Sequence, residues 1–170
     1  MQLNIKGLSV EVADEQIASL VLRHLTDSGN RIAAISTSTL RHISVPPLGH
    51  AWSGHGGIFT GLVRGGHDGQ PDHLVITGPA IEPMPWAKAM EAAAAIEVDG
   101  HKDFTLPFRR ELALQYANIP EEFEKEWYWS CEQHAADAGW AWVQNFDYGN
   151  QSYDPKSFGS RARAVRRIKI

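Results

Sequence analysis

Apolar and polar residues alternate in several short stretches of the chain, which is typical of half-buried β-strands. Residues 58–63 and 73–77 flank a loop rich in Gly, Asp and Pro, so they predict a β-hairpin. Closer to the C terminus, residues 127–129, 140–146 and 161–170 are three further predicted strands. The alternation in the last of these is imperfect, which favours a β-bulge there.

Two other stretches follow the helical period. Pro85 fits the first turn of a helix that ends before Asp99, and Pro107 likewise opens a helix that ends before Pro120. The elements therefore run strand, helix, helix and strand, without the regular alternation of parallel βαβ units. This order predicts an α+β fold with two helices and a mainly antiparallel sheet.

The first 45 residues form a separate pattern. A strand interrupted near Gly7 is followed by a helix for which Asp14 is a suitable N-cap. Pro46 and the proline after it then favour an extended linker. We therefore predict a small N-terminal strand–helix appendage over residues 1–45 and a main domain over residues 49–170.

Aromatic residues are concentrated in one part of the main domain. Because aromatic rings bury large areas, we expect this part to contain the densest packing. Ten of the 16 aromatic residues lie between positions 123 and 158: Phe123, Trp127, Tyr128, Trp129, Trp140, Trp142, Phe146, Tyr148, Tyr153 and Phe158.

Charge is unevenly distributed along the chain. The formal net charge is −4, which argues against nucleic acid as a direct partner. We interpret two charged runs as solvated faces that can face each other. The acidic run contains Glu121, Glu122, Glu124, Glu126 and Glu132, and the basic run contains Arg161, Arg163, Arg166, Arg167 and Lys169.

Three features of the sequence bear on where in the cell the protein is located. No apolar run approaches the roughly 20 residues of a membrane helix, so we expect no membrane partner. The N terminus lacks the basic start and apolar centre of a signal peptide. Cys131 is the single cysteine, which excludes an internal disulfide and favours a reducing compartment.

Several short motifs, taken together, resemble a family of uncharacterised bacterial and phage proteins whose domain also closes the collagen-like adhesins. The resemblance covers residues 49–170, with one departure, Cys131 where the family has Ser. It implies a C-type-lectin-like fold, a compact α+β scaffold whose late strands present a variable surface. The motifs are Leu106-Pro107, Arg110-Glu111-Leu112-Ala113, Trp127-Tyr128-Trp129-Ser130, Ala141-Trp142-Val143-Gln144-Asn145-Phe146, Gly149-Asn150-Gln151 and Arg161-Ala162-Arg163-Ala164-Val165-Arg166-Arg167.

Within these motifs, Trp129 and Trp142 are interpreted as anchors of the sheet. Arg110 or Arg163 is expected to pair with a carboxylate such as Glu111 or Asp147.

Motifs for catalysis and metal binding are missing from the sequence. The histidines form no HExxH or HxH pattern, a single cysteine cannot build a zinc finger, and no GxSxG or P-loop occurs. Gln70-Pro71-Asp72 matches one tripeptide of calcium lectins, but calcium needs six to eight oxygens gathered in space. We therefore predict no enzyme activity, no cofactor and no metal site.

One segment has the composition of a binding surface. Tyr, Asn, Asp, Ser and Gly dominate residues 144–154, a mixture that paratopes favour because Tyr gives rigid contact area and short polar residues adapt their hydrogen bonds. A plain polar loop between strands is the alternative. The candidate contact residues are Trp140, Gln144, Asn145, Asp147, Tyr148, Asn150, Gln151, Tyr153 and Asp154, with Trp140 or Tyr148 as aromatic anchor.

Three functions are compatible with these features. The first is a phage- or prophage-derived recognition protein that binds a protein partner without catalysis, in the bacterial cytoplasm or the virion. The second is an inhibitor of a host defence complex, of the anti-CRISPR type, whose acidic run occupies a nucleic-acid groove. The third is a virion structural or accessory subunit that forms homo-oligomers through residues 1–45.

Overall fold

A computed structural model of the chain describes residues 2–5, 8–11, 45–66 and 69–170. The chain divides into two compact units, Met1–Ile43 and Ser44–Ile170. In the first unit, β1 (Gln2–Ile5) and β2 (Leu8–Glu11) form an antiparallel pair in which Ile5 lies opposite Leu8. The helix that the sequence predicts after Asp14 lies outside the described residues.

The second unit is built on a seven-stranded sheet in the order β3-β4-β5-β9-β6-β7-β8. Its neighbouring strands are antiparallel except for β6 and β9, which are parallel at Tyr128 and Arg161. The α+β fold with a mainly antiparallel sheet is confirmed. The strands are β3 (Ala51–Trp52), β4 (Gly57–Val63), β5 (His73–Met84), β6 (Trp127–Gln133), β7 (Trp140–Asn145), β8 (Gln151–Pro155) and β9 (Ser160–Lys169).

One helix packs on each face of this sheet. In α1 (Trp86–Ala94), Ala93 is buried in the main core cluster with Trp129 and Val143. In α2 (Arg109–Asn118), Leu112 packs instead with Tyr128 and Phe146. Tyr128 and Trp129 are consecutive in β6 and therefore point to opposite faces. The two helices thus cover opposite faces of the sheet.

The observed elements differ from the predicted ones in three places. The segment 151–155, interpreted as part of a contact loop or of a plain polar loop, is strand β8, because its backbone pairs with β7 although its side chains are mostly polar. The bulge expected in the last strand lies instead in β5, where two register shifts insert extra residues opposite β9. Finally, the helix expected to open at Pro107 begins at Arg109, with Phe108 as its N-cap.

Candidate recognition site

The predicted contact segment forms a β-hairpin made of β7, β8 and the turn between them. Residues 145–150, named the hairpin tip below, are held by the side chain of Asn145. Its Oδ1 accepts hydrogen bonds from the backbone N–H groups of Asp147 (2.8 Å) and Tyr148 (2.9 Å). The N–H of Gly149 donates to the carbonyl of Asn145 (3.1 Å). These bonds fix the conformation of the tip.

A close contact with α2 fixes the position of the tip. Gly149 has a φ of +78°, and a Cβ at this position would lie 2.5 Å from Cε1 of Tyr116. Tyr116 also meets Phe146 edge-on, with ring centroids 5.8 Å apart. Glycine is required here both for its backbone conformation and because the tip lies directly on the Tyr116 ring.

Two glutamines connect the hairpin to the first residue of α2. Gln144 Nε2 donates to the carbonyl of Gly149 (2.7 Å). Gln151 Nε2 donates to Gln144 Oε1 (2.8 Å) and to the carbonyl of Arg109 (2.7 Å), whose own Nε donates to Gln151 Oε1 (3.1 Å). The interactions among Gln144, Gln151, Arg109 and Gly149 are called the amide network below.

Burial separates the predicted contact residues into two groups. Gln144 is 1% exposed and Asn145 is 7% exposed, so the structure does not place either at the surface as a contact residue. Both are polar but buried, because groups of the hairpin satisfy their hydrogen bonds. Backbone groups of the tip bind both side chains, and Gln151 also donates to Gln144. Both residues act by holding the hairpin. Tyr148, in contrast, is 79% exposed at the tip, beside the exposed Asn150.

Strand alternation gathers three aromatic residues on one face of the hairpin, which we name the aromatic face: Trp140, Trp142 and Tyr153. The ring of Tyr153 lies edge-on to both tryptophans, with centroids 5.7 Å from Trp140 and 5.5 Å from Trp142. His134 lies 4.4 Å from the Tyr153 ring, and the Arg109 guanidinium lies 3.4 Å above Trp142. The aromatic face is therefore a half-exposed surface beside the N-terminal end of α2.

Sequence reasoning missed three contributors to this surface, namely Trp142, His134 and Arg109. Trp142 lies directly opposite Tyr153 in the antiparallel pair, and this register is known only once β8 is identified as a strand. No local signal identifies Arg109, since a helix distant in sequence brings it to the hairpin.

Asp154 lies on the opposite side of the hairpin from the aromatic face, because it alternates with Tyr153 along β8. It lines a cleft of about 750 Å³ together with Glu126, Trp127 and Phe158. Burial raises the pKa of the Asp154 carboxyl above its usual value. The predicted contact residues therefore do not form one continuous surface.

A second cleft, of about 620 Å³, lies where the hairpin meets the start of α2. Glu132 Oε1 in its wall accepts a hydrogen bond from the backbone N–H of Arg109 (2.7 Å) and so satisfies one free donor of the helix N terminus. The cleft is lined among others by Phe108, Arg109, Arg110, Glu132, Gln144 and Gln151.

The acidic run does not form a uniform acidic surface. Arg161 Nη2 lies 2.7 Å from Glu124, and Arg163 Nη2 lies 3.1 Å from Glu122. With Glu132 bound to α2, three of the five glutamates have partners within the protein, whereas Glu121 and Glu126 are exposed. The acidic and basic runs therefore pair in part with each other.

Arg163 forms the expected ion pair with a carboxylate, but its partner is neither Glu111 nor Asp147. Arg163 pairs with Glu122, and Asp147 pairs with Lys125 at 3.2 Å. Glu111, which is buried, is bound by Arg167 because both lie on the α2 side of the sheet.

Other chemistry is limited among the described residues. Burial raises the pKa of the Cys131 thiol to about 12, so the thiol stays protonated and unreactive near neutral pH. No group of three or more His, Cys, Asp or Glu in the described ranges is placed to hold a metal ion. Within the same ranges, every helix is too short or too polar to cross a membrane.

Comparison with known proteins identifies the part of the chain that contains this hairpin. Residues 60–166 match the family model of the Lcl C-terminal domain. The chain belongs to this family. The hairpin tip, the amide network and the aromatic face all lie within its Lcl C-terminal domain. No curated protein matches the chain.

Proposed function

We propose that this protein is a phage- or prophage-derived recognition protein that binds a protein partner without catalysis, through the hairpin tip and the aromatic face. The main support is that Tyr148, 79% exposed, lies on a turn that Asn145 and Gly149 hold in one conformation. Exposed aromatic residues are common anchors of protein interfaces. A turn that is already ordered loses little entropy on binding.

The aromatic face extends this contact surface. Tyr153 and Trp140 offer ring area at its surface, while Trp142 is covered on one side by Arg109. Tyrosine and tryptophan combine a large apolar area with a polar group, which suits a partner that is a folded protein. We therefore assign Tyr148 and Tyr153 the main contact roles.

We further propose that the scaffold is C-type-lectin-like, as in the domain that closes the collagen-like adhesins. The two helices, the mainly antiparallel sheet and the contact hairpin between late strands support this assignment. A single cysteine, held as a protonated thiol, is compatible with a reducing compartment, and we propose the bacterial cytoplasm or the virion as the location.

The proposal is tested by capturing proteins from a bacterial host lysate on the immobilised full chain. We expect Tyr148→Ala to reduce the amount of the specifically captured protein about tenfold or more, which corresponds to the loss of about 1.4 kcal/mol of binding free energy. The thermal unfolding temperature should hardly change, because the Tyr148 ring is exposed.

Phe158→Ala is the matched control, because Phe158 is also an exposed aromatic residue but lines the Asp154 cleft. This variant should capture as much protein as the wild type. Equal capture by the wild type, Tyr148→Ala and the double variant Tyr148→Ala/Tyr153→Ala would contradict the proposed contact surface.

The placement of the acidic run does not favour the defence-inhibitor hypothesis, because Arg161 and Arg163 neutralise two of its carboxylates. Charge reversal of Glu121 and Glu126 separates the two functions. An inhibitor that imitates nucleic acid should lose activity, whereas recognition through the hairpin should be unchanged. Most of residues 1–45, on which the oligomeric virion subunit depends, lie outside the described residues.

A further inference from the structure

The outer edge of β8 has a backbone arrangement that the recognition function does not use. In the described part of the chain, β8 is the last strand of the sheet and pairs only with β7. Two hydrogen bonds show which of its groups face β7. The N–H of Asn145 donates to the carbonyl of Asn150 (2.9 Å), and the N–H of Lys156 donates to the carbonyl of Gly139 (2.8 Å).

Bonded and non-bonded residue pairs alternate along an antiparallel ladder. Since residues 150 and 156 bond to β7, so do residues 152 and 154 of the same register. The backbone N–H and C=O groups of Gln151 and Tyr153 therefore point away from the sheet. Pro155 points its carbonyl in the same direction but has no N–H group.

Open edges of this kind are templates for a further strand, and proteins usually protect them with lysines, bulges or prolines. β8 contains no lysine, and its pairing with β7 runs without a register shift. Proline occurs only at its end, so the described residues leave two consecutive outward donor–acceptor positions, Gln151 and Tyr153, without a backbone partner. The amide network holds this edge in place through Gln151.

We propose that the β8 edge is a dimerisation surface on which two copies of the chain pair their β8 strands antiparallel, with Ser152 opposite Ser152. In this register, Gln151 of each copy lies opposite Tyr153 of the other. Each outward N–H then meets an outward C=O, which gives four hydrogen bonds. Pro155 lies opposite Gly149 of the second copy. The carbonyl of Gly149 already accepts a hydrogen bond from Gln144 Nε2 (2.7 Å), so it does not need the N–H that proline lacks.

The charges along β8 suit pairing with a second copy. Asp154 is the only charged residue of the strand, and it lies opposite Asn150 of the second copy. Like charges are therefore not opposed, which is a requirement for cross-strand pairs. Tyr148 lies beyond the paired residues, whereas Tyr153, the other proposed contact residue, lies within them. Dimerisation therefore leaves the contact through Tyr148 free.

The expected dimer is weak. A pair of five-residue strands with the side chains next to them covers less area than a standard interface of about 1,600 Å². We therefore expect dissociation at micromolar to submillimolar concentrations.

Sedimentation velocity of the full chain, from about 1 µM to about 1 mM, tests the proposal with two variants at one position. Tyr153→Ala removes the ring but keeps the outward N–H, whereas Tyr153→Pro removes both. Because this N–H does not bond to β7, proline is compatible with the folded monomer, which circular dichroism should verify. We expect the wild type to dimerise. Tyr153→Ala should also dimerise, with a dissociation constant at most a few-fold higher than that of the wild type, whereas Tyr153→Pro should remain monomeric.

Amide hydrogen exchange gives a second measurement that needs no variant. The amides of Gln151 and Tyr153 should become protected as the protein concentration rises, whereas those of Ser152 and Asp154 should be protected at every concentration. A wild type that stays monomeric, a Tyr153→Pro variant that still dimerises, or outward amides that stay unprotected in the dimer would each overturn the proposal. Tyr148→Ala should dimerise like the wild type, so failure of this proposal is distinguishable from failure of the recognition function.

Discussion

Among single residues, Glu111 is a fully buried charge that four hydrogen bonds hold in place. Its side chain is 0% exposed, and Arg167 donates to both of its oxygens, from Nε at 2.7 Å and from Nη2 at 2.6 Å. The backbone N–H of Phe108 donates to Oε2 (2.7 Å), and His73 Nε2 lies 2.9 Å from Oε1. These bonds compensate for the desolvation of the carboxylate and connect α2 with β5 and β9.

We expect Glu111→Ala to lower the free energy of unfolding by about 3–5 kcal/mol, because it leaves Arg167 without its buried partner. Urea unfolding followed by circular dichroism measures this change. Glu97→Ala, which removes an exposed pair with Lys102 (3.1 Å), is the control and should cost less than about 1 kcal/mol. Similar losses in the two variants would show that burial of Glu111 is not what makes it important.

Asp154 permits a prediction about pH. Its pKa is raised by burial, so the folded state binds its proton more tightly than the unfolded state does. The stability contributed by protonated Asp154 is fully present below its unfolded pKa and is lost as the pH rises through the folded pKa. Asp154→Asn should therefore be more stable than the wild type at pH 7, and this advantage should shrink toward about pH 3. Thermal unfolding across this pH range checks the expectation, and a variant that is less stable at pH 7 would contradict it.

At the scale of elements, the contact hairpin depends on α2 as much as on its own strands. Gly149 lies against Tyr116, and Gln151 bonds to the carbonyl of Arg109, so residues near both ends of the helix hold the hairpin. This support explains how a turn that is mostly polar can present an exposed tyrosine in a defined position.

Two glycine substitutions separate the effect of backbone conformation from that of packing. Gly149 and Gly100 have nearly equal φ values, +78° and +77°, but a Cβ on Gly100 would meet nothing within 4 Å. We expect Gly100→Ala to cost about 1 kcal/mol, and Gly149→Ala to cost about 2–4 kcal/mol because Tyr116 must also move. Urea unfolding of both variants gives the difference. If the two losses are equal, the tip does not rely on its contact with Tyr116.

At the scale of the whole molecule, the structural framework lies within a single unit. All seven strands of the large sheet and both α-helices of the described chain belong to Ser44–Ile170. This unit contains the core cluster around Trp129 and the buried Glu111. A chain of this size can bury enough apolar surface to fold without further support.

We therefore expect a chain that begins at Ser44 to unfold in one cooperative thermal transition. Circular dichroism and the dispersion of the amide NMR spectrum provide the measurement, with the full chain as reference. A gradual transition or a collapsed spectrum would mean that Met1–Ile43 is needed for the fold.

Local sequence predicted much of the fold but only part of the site. The helices after Pro85 and Pro107 and the strands of the aromatic-rich region follow from patterns among neighbouring residues. β8 was missed because Gln151–Pro155 lacks an apolar alternation and is identified only by its pairing with β7. Of the residues proposed as contacts, Tyr148 is exposed, whereas Gln144 is polar and nevertheless buried.

Local patterns therefore suffice for the α+β class and the main helices and strands, because the hydrophobic period and the effects of proline depend on residues close in the chain. The strand order, with β9 between β5 and β6, and the role of each polar residue depend instead on contacts between distant residues. A polar side chain becomes buried when distant groups satisfy its hydrogen bonds, as Gln144 and Glu111 illustrate. Such partners are brought together only by folding, and for that reason the support of the hairpin by α2 could not be deduced from local patterns.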